Sequence, residues 1–135
     1  MPQLTVTIIT RDEAAEIASA VASAAWADEV VVVDSRSTDD TVARARQAGA
    51  RVEVRDWPGF VAQKNHAASI ASHDWILSID ADERVTPQLR EQIEAAVARG
   101  AFDAYSVNRR SSSHQTSFDT WICDTVAQGN CLISM

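Results

Sequence analysis

Residues 76–87 read ILSIDADERVTP. Ile76, Leu77 and Ile79 form an apolar run suited to a strand entering a core, yet Asp80, Asp82 and Glu83 follow at once, with Arg84 the nearest basic side chain in sequence. Carboxylates crowded at the end of a buried strand repel one another, so the stretch implies a cationic partner that its own sequence does not supply. Thr86-Pro87 then reads as a helix start. A capping hydroxyl is followed by proline at the first helical position, where its missing N–H is no loss. Leu89, Ile93, Ala96 and Val97 recur at helical spacing as the buried stripe of that helix, and Gly100 ends it.

The same order of apolar strand, polar cluster and helix recurs upstream. Leu4 to Thr10 (LTVTIIT) is β-branched and apolar throughout, as a strand buried on both faces requires. Ile17, Ala18, Val21, Ala24 and Ala25 predict an amphipathic helix over 13–25 with acidic residues in its first turn. Glu29 to Asp34 (EVVVVD) is a second buried strand. Ser37 and Thr38 are candidate caps for the next helix, with Asp40 in a capping-box-like position and Gly49 placed to end it. Arg51 to Arg55 (RVEVR) alternates as a strand nearer the sheet edge would, and Trp57-Pro58-Gly59 turns the chain into a helix over 60–72. Asp74 to Ile79 returns as a strand, and 104–107 is one more.

Strands alternating with helices of about a dozen residues predict an α/β fold: three layers, with a mostly parallel sheet covered on both faces. Ligands in such sheets bind beyond the carboxyl ends of the strands, where the polar clusters after Thr10, Asp34 and Ile79 fall. Residues 108–135 show neither period and stay unassigned.

Composition limits the function classes. A chain of 135 residues with 46% apolar content suits one compact domain. The net charge of −7 argues against nucleic acid or an anionic membrane as an electrostatic partner, since either polyanion would be repelled. No apolar run reaches membrane-span length, and the opening MPQLTVTIITRDE lacks the basic segment of a secretory signal, which predicts a cytoplasmic protein. Cys123 and Cys131 lack metal-ligand spacing and read as free thiols, and His66 and His73 read as structural or exposed.

Three constellations could carry chemistry. Asp80 and Asp82, one residue apart at a strand end, can aim hard oxygen ligands into one cavity and suit Mg²⁺ or Mn²⁺; a solvated acidic turn is the plain alternative. Asp34, in VVVDSRSTDDT, could accept hydrogen bonds from a nucleobase or ribose while the following residues cap a helix. Lys64 of Gln63-Lys64-Asn65, the only lysine in the chain, would be placed by a helix beginning near Phe60 where a cation could meet phosphate; a solvated surface lysine is the ordinary reading.

In this order, TIITRDE, VVVDSRSTDDT, GFVAQKN and WILSIDADERV resemble the family 2 glycosyltransferases of GT-A fold, with greatest similarity to the bacterial lipopolysaccharide-core β-glucosyltransferase type. The resemblance covers residues 3 to about 107, a nucleotide-sugar-binding region, and implies inverting transfer of a sugar from a nucleotide-sugar, such as a UDP-sugar, to a glycan or lipid-linked acceptor. It implies that Thr10, Arg11 and Glu13 line the nucleotide pocket, that Asp34 contacts the uracil or ribose, and that Lys64 and Asn65 lie beside the donor. Asp80 and Asp82 are similar to the family's DxD pair, which holds a divalent ion (Mg²⁺ or Mn²⁺) and the donor ribose. Cell-envelope polysaccharide synthesis at the inner face of the membrane, with peripheral membrane contact, follows from the same likeness.

The chain departs from the family pattern in three ways. Asp12 stands where Asn is common, Arg36 replaces a common glycine in a turn where positive φ would strain it, and no general base is assignable. Asp119 and Asp124 are the carboxylates of the 108–135 tail and match no base motif, so a catalytically silent nucleotide-sugar-binding module is the alternative function.

Overall fold

The computed structural model describes residues 3–73, 75–99, 104–108 and 119–124. In chain order the elements are β1 (Leu4–Thr10), α1 (Ile17–Ser23), β2 (Glu29–Asp34), α2 (Thr41–Gln47), β3 (Arg51–Val54), α3 (Phe60–Ile70), β4 (Trp75–Asp80), α4 (Pro87–Arg99), β5 (Ala104–Asn108) and β6 (Asp119–Asp124). The strands form one sheet in the order β3-β2-β1-β4-β6-β5. β1 pairs in parallel with β2 and with β4, β2 pairs in parallel with β3, and β6 runs antiparallel between β4 and β5.

Every residue of β1 is buried, which explains its unbroken apolar and β-branched character. Leu4, Val6 and Ile8 pack on one side with Ile17, Val21, Val32, Leu77, Ile93 and Val97, so α1 and α4 cover that face. Ile9, Val31 and Val33 point the other way and meet Ala67 of α3, with Ile70 partly buried against them. The two clusters make the expected three layers. They are unequal, because the α3 face also buries Thr5, Thr7, Gln63, Lys64 and Ser78.

Several local expectations are corrected. The helix expected over 13–25 is shorter, because residues 13–16 make a separate turn in which the Glu16 N–H donates to the Glu13 carbonyl at 3.0 Å. No acidic residue therefore lies in the first turn of α1. Ser37 and Thr38 do not cap α2. The helix begins at Thr41, whose N–H donates to Asp39 Oδ1 at 3.0 Å, and Asp40 at the cap position makes no side-chain capping bond. α3 stops at Ile70, because the Ser72 N–H and hydroxyl both donate to Glu29 at 2.8 Å and turn the chain toward the sheet. The carboxyl of Glu29 is pushed up by burial, but the Ser72 bonds, the Thr5 hydroxyl and Arg51 outweigh this and hold it below its ordinary range.

The tail contributes a strand that the sequence pattern hides. β6 has only Trp121-Ile122 as an apolar signal, but its backbone is paired on both edges, by β4 and by β5. The thiol reading for Cys123 and Cys131 falls outside the described side chains. Thr86, in contrast, caps α4 as expected, its Oγ1 accepting the Leu89 N–H at 3.1 Å.

Gly49 ends α2 with φ +107, and the bonds from the Gly49 N–H to Arg46 O (3.0 Å) and from the Ala50 N–H to Ala45 O (3.1 Å) complete a Schellman motif. A β-carbon there would meet nothing within 4 Å, so the whole penalty of a side chain is backbone strain. Gly49→Ala should lower unfolding free energy by about 1–2 kcal/mol with an unchanged urea m-value, measured by equilibrium denaturation.

Candidate active site

β1 lies between β2 and β4: the chain runs outward from β1 through β2 to β3 and then returns to β4 on the other side of β1, a reversal of strand order that places a crevice at the carboxyl ends of β1 and β4. Register brings Thr10 beside Asp34 and Ile9 beside Asp80 at that edge. Asp34 faces the α1 side with the even-numbered residues of β2, and Asp80 faces the α3 side with Ile76 and Ser78.

The loops after β1 and β2 are tied to each other. Asp34 is fully buried and accepts the Ser37 N–H at 2.8 Å and the Ser37 hydroxyl. Ser37 Oγ in turn accepts the Asp12 N–H at 2.7 Å, while Asp12 Oδ1 accepts the Thr38 N–H at 2.8 Å. The Glu13 N–H donates to Thr41 Oγ1 at 2.9 Å. The hydroxyls that read as helix caps therefore serve as cross-loop ties. Two residues hold left-handed backbone to permit this, Asp12 (φ 51) and Arg36 (φ 54). Asp tolerates that region well, whereas Arg there costs about 1–2 kcal/mol.

On the other side of the sheet, Lys64 is buried and its Nζ lies 3.7 Å from Asp80 Oδ1. It supplies Asp80 with the cationic partner that the stretch 76–87 does not provide from within. Arg84, the nearest basic residue in sequence, turns away to Glu16 and to the Ala81 and Glu83 carbonyls. The Asp80 N–H donates to Glu83 Oε1, so Glu83 closes the turn that presents Asp82, which is exposed. Gln63, one residue before Lys64, is fully buried and donates through Nε2 to Ser35 Oγ at 3.0 Å. The QKN tripeptide marks Gln63 in sequence without giving it a role, and nothing local marks Ser35, because their meeting depends on α3 crossing β2.

Among the expected pocket residues, Thr10 is buried and Arg11 exposed. Thr10 Oγ1, Gln63 Oε1 and Asn65 Oδ1 are buried atoms that accept or donate no hydrogen bond within the described protein. Such atoms need an outside partner, water or ligand. Of His66 and His73, His66 has its Nε2 2.7 Å from Glu53 Oε1, which ties α3 to β3.

Negative charge is in surplus at this edge. Burial pushes the Glu13 carboxyl above its ordinary value, and Asp82, Glu16 and Asp39 push it the same way. Asp39 itself is held low, chiefly by the Thr41 hydroxyl. Among the described residues no three His, Cys, Asp or Glu side chains converge as a self-sufficient metal cage. The donor set still fits a hard divalent cation, since Mg²⁺ commonly takes one or two carboxylates and completes its shell with water and substrate phosphates. The repulsion felt at Glu13 is what such a cation would relieve.

The sheet order and the helices on both faces define a GT-A fold. The chain superposes with glucosyl-3-phosphoglycerate synthase from Mycobacterium tuberculosis at a TM-score of 0.73 and 22% identity over 91% of this chain and 58% of that one. A structure of the same enzyme in complex with Mn²⁺, UDP and glucosyl-3-phosphoglycerate matches at a TM-score of 0.65 and 25% identity over 76% and 42% of the two chains.

The chain belongs to the Glycosyl transferase family 2, whose sequence profile matches residues 5–125. An uncharacterized glycosyltransferase of Rickettsia felis is 50% identical over 106 residues, covering 78% of this chain and 38% of the relative. The lipopolysaccharide core biosynthesis glycosyltransferase LpsC of Rhizobium meliloti is 36% identical over 96 residues, 67% of this chain and 36% of the relative. The chain thus spans just over a third of the length of these relatives. No helix among the described residues is long and apolar enough to cross a membrane.

The raised pKa of Glu13 carries a sign. Because the native carboxyl holds its proton more tightly than the unfolded one, the penalty is fully present above the native pKa and vanishes below the unfolded value. Glu13→Gln should therefore raise the melting temperature at about pH 7 and leave it unchanged below about pH 4, as measured by circular dichroism across that range.

Proposed function

We propose that this chain is the donor-binding part of an inverting glycosyltransferase that takes a sugar from a nucleotide-sugar, a UDP-sugar in the simplest reading, and passes it to a glycan or lipid-linked acceptor in cell-envelope polysaccharide synthesis. The observation that carries the reading is the conjunction of Asp80, Asp82 and Lys64 at the crevice edge of a family 2 domain. The complexes of the mycobacterial synthase with Mn²⁺ and UDP support the choice of metal and nucleotide. A cytoplasmic location at the inner membrane face belongs to the same proposal.

In this reading Asp82 and Asp80 hold a Mg²⁺ or Mn²⁺ ion. When bound, the ion supplies charge neutralisation of the donor diphosphate and Lewis-acid stabilisation of the departing nucleotide. Lys64 orients Asp80 through their 3.7 Å contact and places a second positive charge close to the diphosphate. Thr10, Arg11, Glu13 and Asn65 line the nucleotide, with Thr10 Oγ1 and Asn65 Oδ1 gaining the partner they lack among the described residues. Asp34 shapes the Ser37 loop against the nucleoside, and its oxygens, each accepting one bond from Ser37, retain lone pairs for a further donor. Residues 1–107 form the nucleotide-sugar region, and the 108–135 segment belongs to an acceptor-binding half.

A second reading keeps donor binding without transfer. It is favoured by the lack of an assignable base: Asp119 and Asp124, the tail carboxylates, are the end residues of β6 and match no base motif.

Asp82→Ala should lower affinity for UDP-glucose in the presence of Mn²⁺ by at least about tenfold while leaving the melting temperature nearly unchanged, because Asp82 is exposed and supports no core contact. Equilibrium dialysis with labelled donor checks this. Undiminished Mn²⁺-dependent binding by the variant would remove Asp82 from the site, and hydrolysis or transfer assays on the wild-type chain separate the two readings.

A further inference from the structure

Lys64 is a buried cation in contact with a carboxylate that the proposed site also needs. Its side chain is 7% exposed and that of Asp80 35%, with Nζ 3.7 Å from Asp80 Oδ1. The ammonium therefore approaches from within the α3 layer, while Asp80 opens to the crevice beside the exposed Asp82. Arg84 does not share this position, since it is turned to Glu16 and to the Ala81 and Glu83 carbonyls. Glu83 Oε1 is occupied by the Asp80 N–H, and among the described residues no third carboxylate converges with Asp80 and Asp82 to hold a cation.

Charge gives this arrangement two opposite effects. A divalent cation taken up by Asp80 and Asp82 alone enters the field of an ammonium already in contact with the same carboxylate, and the two positive charges repel most strongly where water is excluded. Glu13, which Asp82 repels, keeps the edge negative, so the ammonium weakens the binding of a cation without preventing it. A diphosphate arriving with the cation reverses the sign, because its oxygens accept hydrogen bonds from the ammonium and also complete the shell of the cation. The Nζ–Oδ1 separation exceeds that of an ordinary N–H···O hydrogen bond, and lysine carries a compact charge on a flexible stem. The ammonium can therefore turn from carboxylate to phosphate without breaking a rigid fork of bonds such as arginine would make.

We propose that Lys64 is the coupling residue of this site, a resident counter-ion of Asp80 that disfavours a divalent cation alone and favours the cation together with a nucleoside diphosphate. This role presupposes the donor-site reading and adds to it that cation and nucleotide bind cooperatively through one side chain, each raising the affinity of the other by the same factor.

The test measures Mn²⁺ affinity by electron paramagnetic resonance and UDP affinity by calorimetry, for wild type and Lys64→Met, with allowance for the Mn²⁺–UDP complex formed in solution and with circular dichroism to confirm the fold. Wild type should bind Mn²⁺ at least about fivefold more tightly when UDP is present. Lys64→Met should bind Mn²⁺ alone at least about threefold more tightly than wild type, and UDP with Mn²⁺ at least about fivefold more weakly. An uncoupled wild type, or a variant in which both affinities fall or neither changes, would overturn the coupling and leave the donor site standing. A folded wild type that does not bind UDP with Mn²⁺ would overturn the donor-site reading and the coupling with it. Lys64 is the only lysine in the chain, so labelling with ¹³C-lysine gives a single side-chain Cε signal that reads the wild type independently of the variant's stability. UDP with Mg²⁺ should move that signal further than Mg²⁺ alone, and a signal indifferent to UDP in a chain that binds it would contradict the role.

Discussion

The burial of β1 on both faces is the constraint from which the other features follow. A strand with no solvent-facing side must have strands on both edges and helices over both faces, and its neighbours β2 and β4 run parallel to it. Polar side chains on such a strand can reach open space only beyond its ends. Thr10, Asp34 and Asp80 accordingly gather at one edge, although the second and third lie 24 and 70 positions from the first. The position of the candidate site is thus a consequence of core packing.

The two faces are packed by different means. The α1/α4 face is an ordinary apolar core. The α3 face relies on a few apolar residues together with Gln63–Ser35, Lys64–Asp80 and His66–Glu53 contacts. Polar contacts of this kind add little net stability when their charges are desolvated, yet losing one partner of a buried pair is expensive. The Asp80 side chain is about a third exposed (35%), so solvent screens it and the Lys64 pair falls between the buried and surface cases. What the arrangement achieves is position: α3 is keyed to β2 at Ser35, to β3 at Glu53 and to β4 at Asp80, and these contacts hold the crevice wall in register.

Much of this was legible in the sequence because the strong signals are local. The apolar runs LTVTIIT and EVVVVD, the Thr86-Pro87 helix start and Gly49 each carry their structural meaning in adjacent residues. The failures share a cause, which is that a distant partner outcompeted the local one. Ser37 and Thr38 have the right chemistry to cap α2, but Asp34 and Asp12 claim their hydrogen-bonding groups across the loops. Glu13 and Glu16 have helical spacing, but the tie from Glu13 to Thr41 holds the start of that segment as a turn. β6 is specified by pairing with β4 and β5 more than by its own composition. The ion pair of Lys64 with Asp80 joins residues 16 apart in sequence through the α3–β4 crossover, so the carboxylate cluster looked uncompensated until the fold supplied the lysine.

The central claim is that a divalent cation and a nucleotide diphosphate meet at the carboxyl ends of β1 and β4. Paramagnetic relaxation by Mn²⁺ in ¹⁵N-resolved NMR spectra of the chain, recorded with and without UDP against a Mg²⁺ reference, reads this most directly. The account predicts selective broadening of the amides of Asp80, Ala81, Asp82 and Glu13, strengthened by UDP. Broadening centred elsewhere, at Asp39 and Asp40 for example, or no UDP-dependent broadening of a folded protein, would contradict it.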